Sequence, residues 1–405
     1  MRVGKAVALV LVVGLVILAI AGCGGGGGSA GKTIKIGAFY PLTGPNAIKG
    51  QFNRNGTELA VRDINAAGGV LGKRIEVLYE DTQGRKENVV NVVRKLVEQD
   101  KVVALLGEVA SSVSIAAGPV VKQYKIPCIA PTSTNLRVVL DPEDPKSALV
   151  TVRWDPSAKL NPYYFRACFV DPVQGAALAQ FAYDKLGKRT AAIYYNIAQD
   201  YNKGLAMVFK DQWLKLGGQI VAEETYPDGT QDFKPQLTNI KTASPEVLLI
   251  PNTYAENGLI LKQARELGLS TVFLLGDASH APRLIEVAGK EAAEGLYLST
   301  LYAPDDPDPK AKAFAEKYRN AYHEDPNSNA AFSYEAMIVL AKAIQQAGKA
   351  EPQAIRDALE KISGVDVPTG TFTMDPSTHA PLDKPVVIIT VKDGKFYFVD
   401  KVVPR

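Results

Sequence analysis

Two serines, Ser111 and Ser112, stand where the sequence predicts the start of a helix, directly after an apolar run that predicts a strand. The first N–H groups of a helix have no partner within it, and the helix dipole adds partial positive charge at that end. A hydroxyl supplies one more donor, so this arrangement suits a bound anion such as a carboxylate. The alternative is that the serines only cap the helix.

A glycine-rich segment near the N-terminus matches three catalytic patterns by spacing alone. Gly26, Gly31, Lys32 and Thr33 have the spacing of a phosphate-binding loop, and the same segment matches a dinucleotide fingerprint and a nucleophile elbow. Such loops follow a strand and precede a helix, because their N–H groups must converge on the bound group. Here an apolar leader precedes the segment and a predicted strand follows it. We interpret all three matches as low-complexity coincidence.

His280, close behind Asp277, is the best candidate for acid–base chemistry. However, no histidine lies beside a serine or cysteine nucleophile motif with the required strand–turn–helix context. His280, His323 and His379 are also too far apart in sequence to indicate a local metal motif. The sequence therefore predicts a protein that is not an enzyme and needs no metal or other cofactor.

The composition indicates a globular protein of two domains. The chain has 405 residues, of which 46% are hydrophobic and 22% charged. Its 46 basic and 43 acidic residues leave a formal charge of +3, too small a field to favour nucleic-acid binding. Three cysteines cannot build a disulfide scaffold. The balance of residues also disfavours a transporter with many membrane spans.

The N-terminus has the three parts of an export signal: a basic head at Arg2 and Lys5, the apolar run Ala6–Gly22, and then Cys23. The run is short for a membrane span, which needs roughly 20 apolar residues. Its end, Ile20–Cys23, resembles the bacterial lipoprotein signal, in which a peptidase cuts before a cysteine that becomes acylated. We expect residues 1–22 to be a signal peptide, Cys23 to be lipidated, and residues 23–32 to form a tether outside the membrane. The alternative is an uncleaved anchor.

From Thr33 onward, short β-branched runs alternate with amphipathic helical patterns, which indicates an α/β fold of doubly wound parallel sheets. The first set of predicted strands is Ile34–Tyr40, Ile75–Glu80, Val102–Gly107, Ile126–Ala130 and Phe165–Val170. Predicted helices between them include Asn55–Ala67 and one that begins at Ser111 or Ser112.

The alternation starts again after Asp171-Pro172. Five further strands are predicted at Ala191–Tyr195, Gln219–Glu224, Val247–Ile250, Val272–Leu275 and Leu296–Thr300. Three helices, Lys310–Tyr322, Ala330–Ala347 and Pro352–Lys361, then follow, and a hairpin through Asp393-Gly394 closes the chain. Because these helices have no strands of their own, they must pack on sheets already formed. We therefore expect two discontinuous lobes with a multi-strand hinge: residues 33–171 plus 303–366, and residues 172–302 plus 367–405.

Several segments resemble the leucine/isoleucine/valine-type periplasmic solute-binding proteins of ABC importers, in register and over the whole mature chain. The segments are TIKIGAFYPLTGP (33–45), GTELAVRDINAAGGVLG (56–72), GEVASS (107–112), IPCIAPTSTN (126–135) and FRACFVDPVQG (165–175). The resemblance implies a two-lobed protein, the type I periplasmic binding protein fold, that closes around one small solute and delivers it to a membrane permease.

The resemblance also implies how an amino acid would be held. Ser111 matches the position that receives the ligand carboxylate, Thr132 offers a backbone carbonyl, and Thr134 offers a hydroxyl. Asp277 matches the acidic partner of the ligand ammonium, a pairing that compensates a buried charge. The remaining expected contacts are Ala110 beside Ser111, and Tyr201 and Tyr254 from the second lobe, with Thr253 as a one-residue alternative to Tyr254.

Two departures from the family concern the side-chain pocket. Lys49 and Asn329 occupy positions where leucine-binding members carry aromatic residues, which disfavours a purely aliphatic ligand side chain; the alternative for Lys49 is a surface lysine. The family's first-lobe disulfide has no counterpart, because Gln83 or Gly84 and Ala110 stand at its positions. Besides Cys23, only Cys128 and Cys168 remain, and we expect both to be free, buried thiols.

The sequence thus predicts a monomeric, lipid-anchored, extracytoplasmic receptor that binds an amino acid, branched-chain or related, and feeds an ABC permease. Three alternatives stay open: a sensor subunit for a signalling partner, a receptor for another small solute such as an amide or carboxylate, and, less favoured, a hydrolase.

Overall fold

The computed structural model describes residues 33–150, 153–382 and 384–404. The predicted signal peptide, the tether and Cys23 lie outside these ranges. The described chain forms two α/β lobes, each built around its own sheet, so the predicted fold class is confirmed. Within these ranges, no helix is both long and apolar enough to span a membrane.

The first lobe contains a parallel sheet in the order β2-β1-β3-β4-β5. Its strands are β1 (Thr33–Tyr40), β2 (Arg74–Asp81), β3 (Ala104–Leu106), β4 (Cys128–Ala130) and β5 (Tyr164–Arg166). Its helices are α1 (Ala47–Ala66), α2 (Lys86–Glu98), α3 (Ser111–Tyr124), α10 (Pro309–Tyr322), α11 (Ser328–Ala347) and α12 (Pro352–Leu359).

Alternation along β1 explains why helices cover both faces of this sheet. Ile36 and Ala38 belong to a core with α1 and α11, whereas Phe39 belongs to a second core with α2 and α3. Successive side chains of a strand point to opposite faces, so a strand that is apolar throughout is buried on both. The late helices α10 and α11 therefore pack on a sheet formed much earlier in the chain, as predicted.

The second lobe has a seven-stranded sheet in the order β16-β15-β10-β9-β8-β6-β7. Its strands are β6 (Thr190–Asn196), β7 (Gln219–Tyr226), β8 (Val247–Ile250), β9 (Val272–Leu275), β10 (Tyr297–Thr300), β15 (Val386–Lys392) and β16 (Lys395–Val402). Its helices are α4 (Asp171–Gln180), continued by a π-helical turn (Phe181–Lys185), α5 (Asp200–Lys215), α6 (Lys234–Ala243), α7 (Tyr254–Glu266), α8 (Pro282–Ala288) and α9 (Lys290–Ala293).

The second sheet is parallel from β7 through β6, β8 and β9 to β10, and β15 and β16 extend it at one edge. β15 pairs antiparallel with both β10 and β16. The predicted hairpin accounts for the pairing of β15 with β16, because Asp393 and Gly394 both have positive φ, 52° and 74°, and reverse the chain between the two strands.

Two short strand pairs, β11 (Val365–Val367) with β12 (Gly370–Phe372) and β13 (Met374–Asp375) with β14 (Ala380–Pro381), precede the return to the second sheet. Arg166 of β5 donates its N–H to the carbonyl of His379 at 3.0 Å. The His379 ring also stacks on Phe165 with centroids 4.2 Å apart. Residues 374–381 therefore include contacts to the first-lobe sheet.

Helix α1 begins at Ala47, two turns earlier than the predicted start at Asn55. Gly50, in its first turns, lies against Pro41: a Cβ at Gly50 would stand 2.1 Å from the Pro41 carbonyl oxygen. Glycine is a poor helix former, but only glycine permits this approach. The extra turns carry Lys49 to the interface between the lobes.

Cys128 on β4 and Cys168, just after β5, are both free and buried, as predicted.

Candidate functional site

A cavity of about 500 Å³ lies between the two lobes. It is lined by residues that follow the carboxyl ends of strands in both sheets: Ser111 after β3, Thr132 after β4 and Asp277 after β9. Open α/β sheets present their ligand sites at these ends. The volume falls in the range usual for small-molecule sites.

The structure brings seven of the nine predicted ligand contacts to this cavity. They are Lys49, Ala110, Ser111, Thr132, Tyr201, Asp277 and Asn329. The other two are placed elsewhere. Thr134 is buried beside Asp171, and Tyr254 is buried with its hydroxyl donating to the Pro45 carbonyl at 2.6 Å. Thr253, the alternative to Tyr254, does line the cavity.

The amino end of α3 faces the cavity with two N–H groups free. Within the described ranges, the N–H groups of Ser111 and Ser112 donate to no protein acceptor. Ser111 Oγ accepts from the Asn135 N–H at 3.3 Å, which leaves its own proton available. These three donors and the helix dipole favour an anion at this position.

Glu108 lies buried directly before this helix end. Its carboxylate accepts from Thr82 Oγ1 and from the Ala110 N–H, both at 2.6 Å. Burial raises the pKa of Glu108 to about 7, and the two hydrogen bonds and the positive charge of Lys49 oppose that rise. A raised pKa favours the neutral form of this carboxyl, which reduces its repulsion of an anion bound at α3.

Asp277 supplies the opposite charge from the second lobe. Its Oδ1 accepts from Gln174 Nε2 at 2.7 Å and from the Tyr201 hydroxyl at 2.9 Å. Burial raises the pKa of Asp277, while Gln174, Lys49 and Tyr201 lower it. Two donors aimed at one oxygen hold the carboxylate in place, so it can receive a cation without rearrangement.

Lys49 reaches the cavity from α1 and is 8% exposed. Its ammonium lies 5.8 Å from the centroid of the Tyr254 ring. Burial lowers the pKa of Lys49 to about 8, a change opposed by the negative charges of Asp277, Glu108 and Glu256. Lys49 is thus a buried cation at the ligand cavity, and the alternative of a surface lysine is wrong.

Hydrogen bonds join the two lobes around the cavity. Ser112 Oγ accepts from the Asp200 N–H at 2.9 Å, and Asn135 Nδ2 donates to the Asp200 carbonyl at 2.8 Å. Asn327 Nδ2 donates to the His280 carbonyl at 3.1 Å. Together with the bond from Tyr254 to Pro45, these contacts hold the lobes in a closed arrangement.

Sequence reasoning missed several cavity residues that the structure places among the lining: Arg85, Gln199, Asn202, Asp228 and Glu256. It also missed Gln174, which holds Asp277 from behind. One signal was available, because Thr253 and Glu256 have the spacing of a capping box, and both side chains make its hydrogen bonds. Gln174 had no local signal, since it lies 103 residues from Asp277.

His280, the best candidate for acid–base chemistry, does not line the cavity. Its Nδ1 lies 3.0 Å from Thr300 Oγ1, and burial lowers its pKa to about 3. A histidine that is neutral at physiological pH and turned away from the cavity is not placed for catalysis there. Within the described ranges, no cluster of three metal-binding side chains occurs.

Two sheet-based lobes with a cavity between them, free helix N–H groups on one wall and a carboxylate on the other, have the architecture of a solute-binding protein. The chain belongs to the periplasmic binding protein family, whose model matches residues 33–395. These are extracytoplasmic proteins, and the fold and the relatives are those of substrate-binding proteins of ABC transporters, not of enzymes.

Known relatives cover nearly the whole chain. A leucine-, isoleucine-, valine-, threonine- and alanine-binding protein of Pseudomonas aeruginosa is 31% identical over 88% of this chain and 90% of its own length. The crystal structure of the leucine binding protein LivK from Thermotoga maritima is 33% identical, with a TM-score of 0.82 over 92% of this chain and 99% of that one. LivJ from Streptococcus pneumoniae, in complex with isoleucine, is 30% identical, with a TM-score of 0.81 over 92% and 100%.

Proposed function

We propose that this protein captures an amino acid, branched-chain or related, in the cavity between its lobes and delivers it to the permease of an ABC importer. The observation that carries the proposal is the pairing across the cavity: free donors at the start of α3 on one wall and Asp277, held by two donors, on the other. Such a site has one place for a carboxylate and one for an ammonium. The names of the relatives, which include leucine- and isoleucine-binding proteins, support the same class.

In the proposed complex, the ligand carboxylate contacts the N–H groups of Ser111 and Ser112 and the Ser111 hydroxyl, and Thr132 lies within the same wall. The ligand ammonium contacts Asp277, with Tyr201 beside it. Because the first group belongs to one lobe and the second to the other, a bound amino acid bridges the lobes. It thereby favours the closed arrangement over an open one.

We further propose that the mature chain starts at an acylated Cys23, after removal of residues 1–22, and that residues 23–32 tether a monomeric receptor to the membrane. The apolar run followed by Ile20–Cys23 supports this proposal. Replacing Cys23 with alanine should release the protein from the membrane fraction of cells. Equal membrane association of both forms would contradict lipid anchoring through Cys23.

A thermal-shift screen of the purified chain against the common amino acids, amides and small carboxylates tests the ligand class. A ligand at about a hundred times its dissociation constant should raise the free energy of unfolding by about 2.7 kcal/mol. No response to any amino acid would overturn the proposal. A response to carboxylates without an amino group would replace it with another solute class. A sensing role would use the same cavity, and a sensor kinase gene beside this gene in place of permease and ATPase genes would favour it.

A further inference from the structure

We propose that Lys49 selects for an amino acid whose side chain carries a second carboxylate, as in L-glutamate or L-aspartate. This inference rests on the proposed function, because it assumes that the amino acid head group is bound between α3 and Asp277. It names the chemical class of the ligand, which neither the fold nor the relatives determine.

The first observation is that the Lys49 ammonium is buried at the cavity without a partner. Within the described ranges, it makes no hydrogen bond and lies within ion-pair distance of no carboxylate. A buried ammonium costs free energy unless it is paired and hydrogen-bonded. The π face of Tyr254, 5.8 Å away, offers only a weak attraction by comparison.

The second observation is that the acidic residues of the cavity already have other partners. Asp228 accepts from Asn196 at 2.6 Å and from Gln199 at 2.9 Å. Glu256 accepts from Thr253 Oγ1 at 3.0 Å and from Asn196 at 2.9 Å.

Asp277 is likewise engaged by Gln174 and Tyr201. None of these three carboxylates forms an ion pair with Lys49 in the described ranges, and the proposed function assigns Asp277 to the ligand ammonium. Lys49 is therefore the buried cation of the described lining that a second ligand carboxylate can still pair with, whereas Arg85, the other cation there, is exposed.

Binding of the ligand ammonium at Asp277 makes the charged form of Lys49 less stable. Asp277 is the strongest source of negative charge acting on Lys49. A ligand ammonium at Asp277 neutralises much of that charge and adds a positive one nearby. A second carboxylate on the ligand restores the balance and gives the lysine a hydrogen-bonded ion pair.

Other side chains would satisfy Lys49 less well. An aliphatic side chain would remove water from the ammonium on closure and offer it no acceptor, which is the costly case. An amide offers a neutral oxygen, and hydrogen bonds between a charged and a neutral group are weaker than charge-paired ones. The cavity of about 500 Å³ has room for a dicarboxylic amino acid, so size does not exclude it.

Isothermal titration calorimetry with L-glutamate, L-aspartate, L-glutamine and L-leucine tests this assignment. We expect the wild type to bind one of the two acids at least about tenfold more tightly than L-glutamine or L-leucine. Lys49→Met keeps the unbranched stem but removes the charge. It should weaken binding of the preferred acid roughly 100-fold and leave or improve that of L-leucine.

Lys49→Arg is the matched control. It retains the charge and should keep the preference for acids, with some loss of affinity because the guanidinium is larger and planar. Thermal melts without ligand establish that each variant is folded. If Lys49→Met does not fold, the order of affinities in the wild type and in Lys49→Arg still decides the question.

Three results would overturn the assignment. Tight binding of L-leucine with no measurable binding of the acids would contradict it while leaving the proposed function intact. An equal loss of affinity for all four ligands in Lys49→Met would place the lysine at the shared head group instead. No binding of any of the four, nor of any other amino acid, would remove the proposed function itself.

Discussion

On the second-lobe wall of the cavity, every carboxylate already has hydrogen-bond donors, whereas the first-lobe wall presents donors that have no acceptor. Asp277 is held by Gln174 and Tyr201. Opposite it, Lys49 and the first N–H groups of α3 point into the cavity without protein partners in the described part of the chain. The second-lobe wall is thus organised before a ligand arrives, and the first-lobe wall is completed by the ligand.

This difference assigns separate tasks to Asp277 and Lys49. A carboxylate fixed by two donors provides a cation site of defined geometry, and an amino group is common to all amino acids. The α3 donors meet the carboxylate, which is equally common, whereas Lys49 discriminates, because a ligand side chain that supplies no acceptor leaves the buried ammonium unpaired. We therefore expect substitutions on the second-lobe wall to affect all amino acids alike, and substitution of Lys49 to change which one is preferred.

The largest effect should come from Asp277→Ala. Removing the carboxylate leaves the ligand ammonium buried without a counter-charge, which costs about 3 kcal/mol or more and lowers affinity at least about 100-fold. Calorimetry with several amino acids should show losses of similar size for each. Unchanged affinity would refute the ammonium role of Asp277.

Asp228→Ala is a control on the same wall, since Asp228 lines the cavity but is occupied by Asn196 and Gln199. We expect a loss of less than about tenfold, because its removal deprives no group of the ligand of a partner. A loss as large as that of Asp277→Ala would move the ammonium site toward Asp228.

The pH dependence of binding tests the first-lobe wall, whose donors have no protein acceptors in the described part of the chain. Lys49, with a pKa of about 8, loses its charge as pH rises through that value, and Glu108, with a pKa of about 7, gains one. Both changes disfavour an anionic ligand, so affinity for L-glutamate should fall between pH 7 and pH 9. The fall due to Lys49 is at most about tenfold per pH unit above its pKa.

Several charges besides Glu108 act at this point. Asp277 and Glu256 face Lys49 and favour its protonated form, and Arg85 and Asp228 line the same cavity. In Lys49→Met, affinity for L-glutamate should decline less steeply above pH 8. The part of the decline that is due to ionisation of Glu108 should remain. Identical pH profiles for the wild type and Lys49→Met would show that the lysine does not meet the ligand.

A third substitution, Gly276→Ala, acts on the second-lobe wall through a steric clash with Tyr201. A Cβ at Gly276 would lie 2.0 Å from the Tyr201 hydroxyl and 2.7 Å from Leu205 Cδ2, so the tyrosine must move away from Asp277. Loss of that hydrogen bond should weaken amino acid binding about tenfold.

Tyr201→Phe provides the matching background, because phenylalanine lacks the clashing oxygen. The further loss caused by Gly276→Ala in that background should be small, and the two changes should not add. Simple additivity would show that Gly276 acts independently of Tyr201.

Much of the fold was predictable because its signals are local. The apolar runs Val247–Ile250 and Val272–Leu275 have the predicted bounds. Each combines burial with a clear boundary of glycine, proline or polar residues. The start of α1 was missed because Gly50, a poor helix former, lies in its first turns. Glycine is needed there for the close contact with Pro41, which the local sequence pattern does not reveal.

The site was less predictable because side-chain direction and non-local contacts decide it. The polar residues after strand ends, such as Ser111 and Asp277, were found because the sheet edge gathers them. Thr253 and Tyr254 are neighbours at the start of one helix, yet only the first lines the cavity, and sequence alone does not fix which one turns inward. Gln174 was missed since no local pattern connects it to Asp277.

Tyr254→Phe should have the smallest effect of the four substitution sets. The variation of its effect among ligands shows whether the Tyr254 hydroxyl stabilises the closed lobes or contacts the ligand. The variant loses the 2.6 Å hydrogen bond from Tyr254 to the Pro45 carbonyl, which joins the lobes, and removes nothing from the cavity lining. A bond made only in the closed arrangement stabilises that arrangement by about 1 kcal/mol, so affinity should fall about fivefold. Because closure is common to all ligands, calorimetry should give the same factor for L-glutamate, L-glutamine and L-leucine. Tyr397→Phe, on the exposed face of β16, is the control and should leave affinity unchanged. A factor that differs among ligands would instead place the Tyr254 hydroxyl in contact with the ligand, as the sequence predicted.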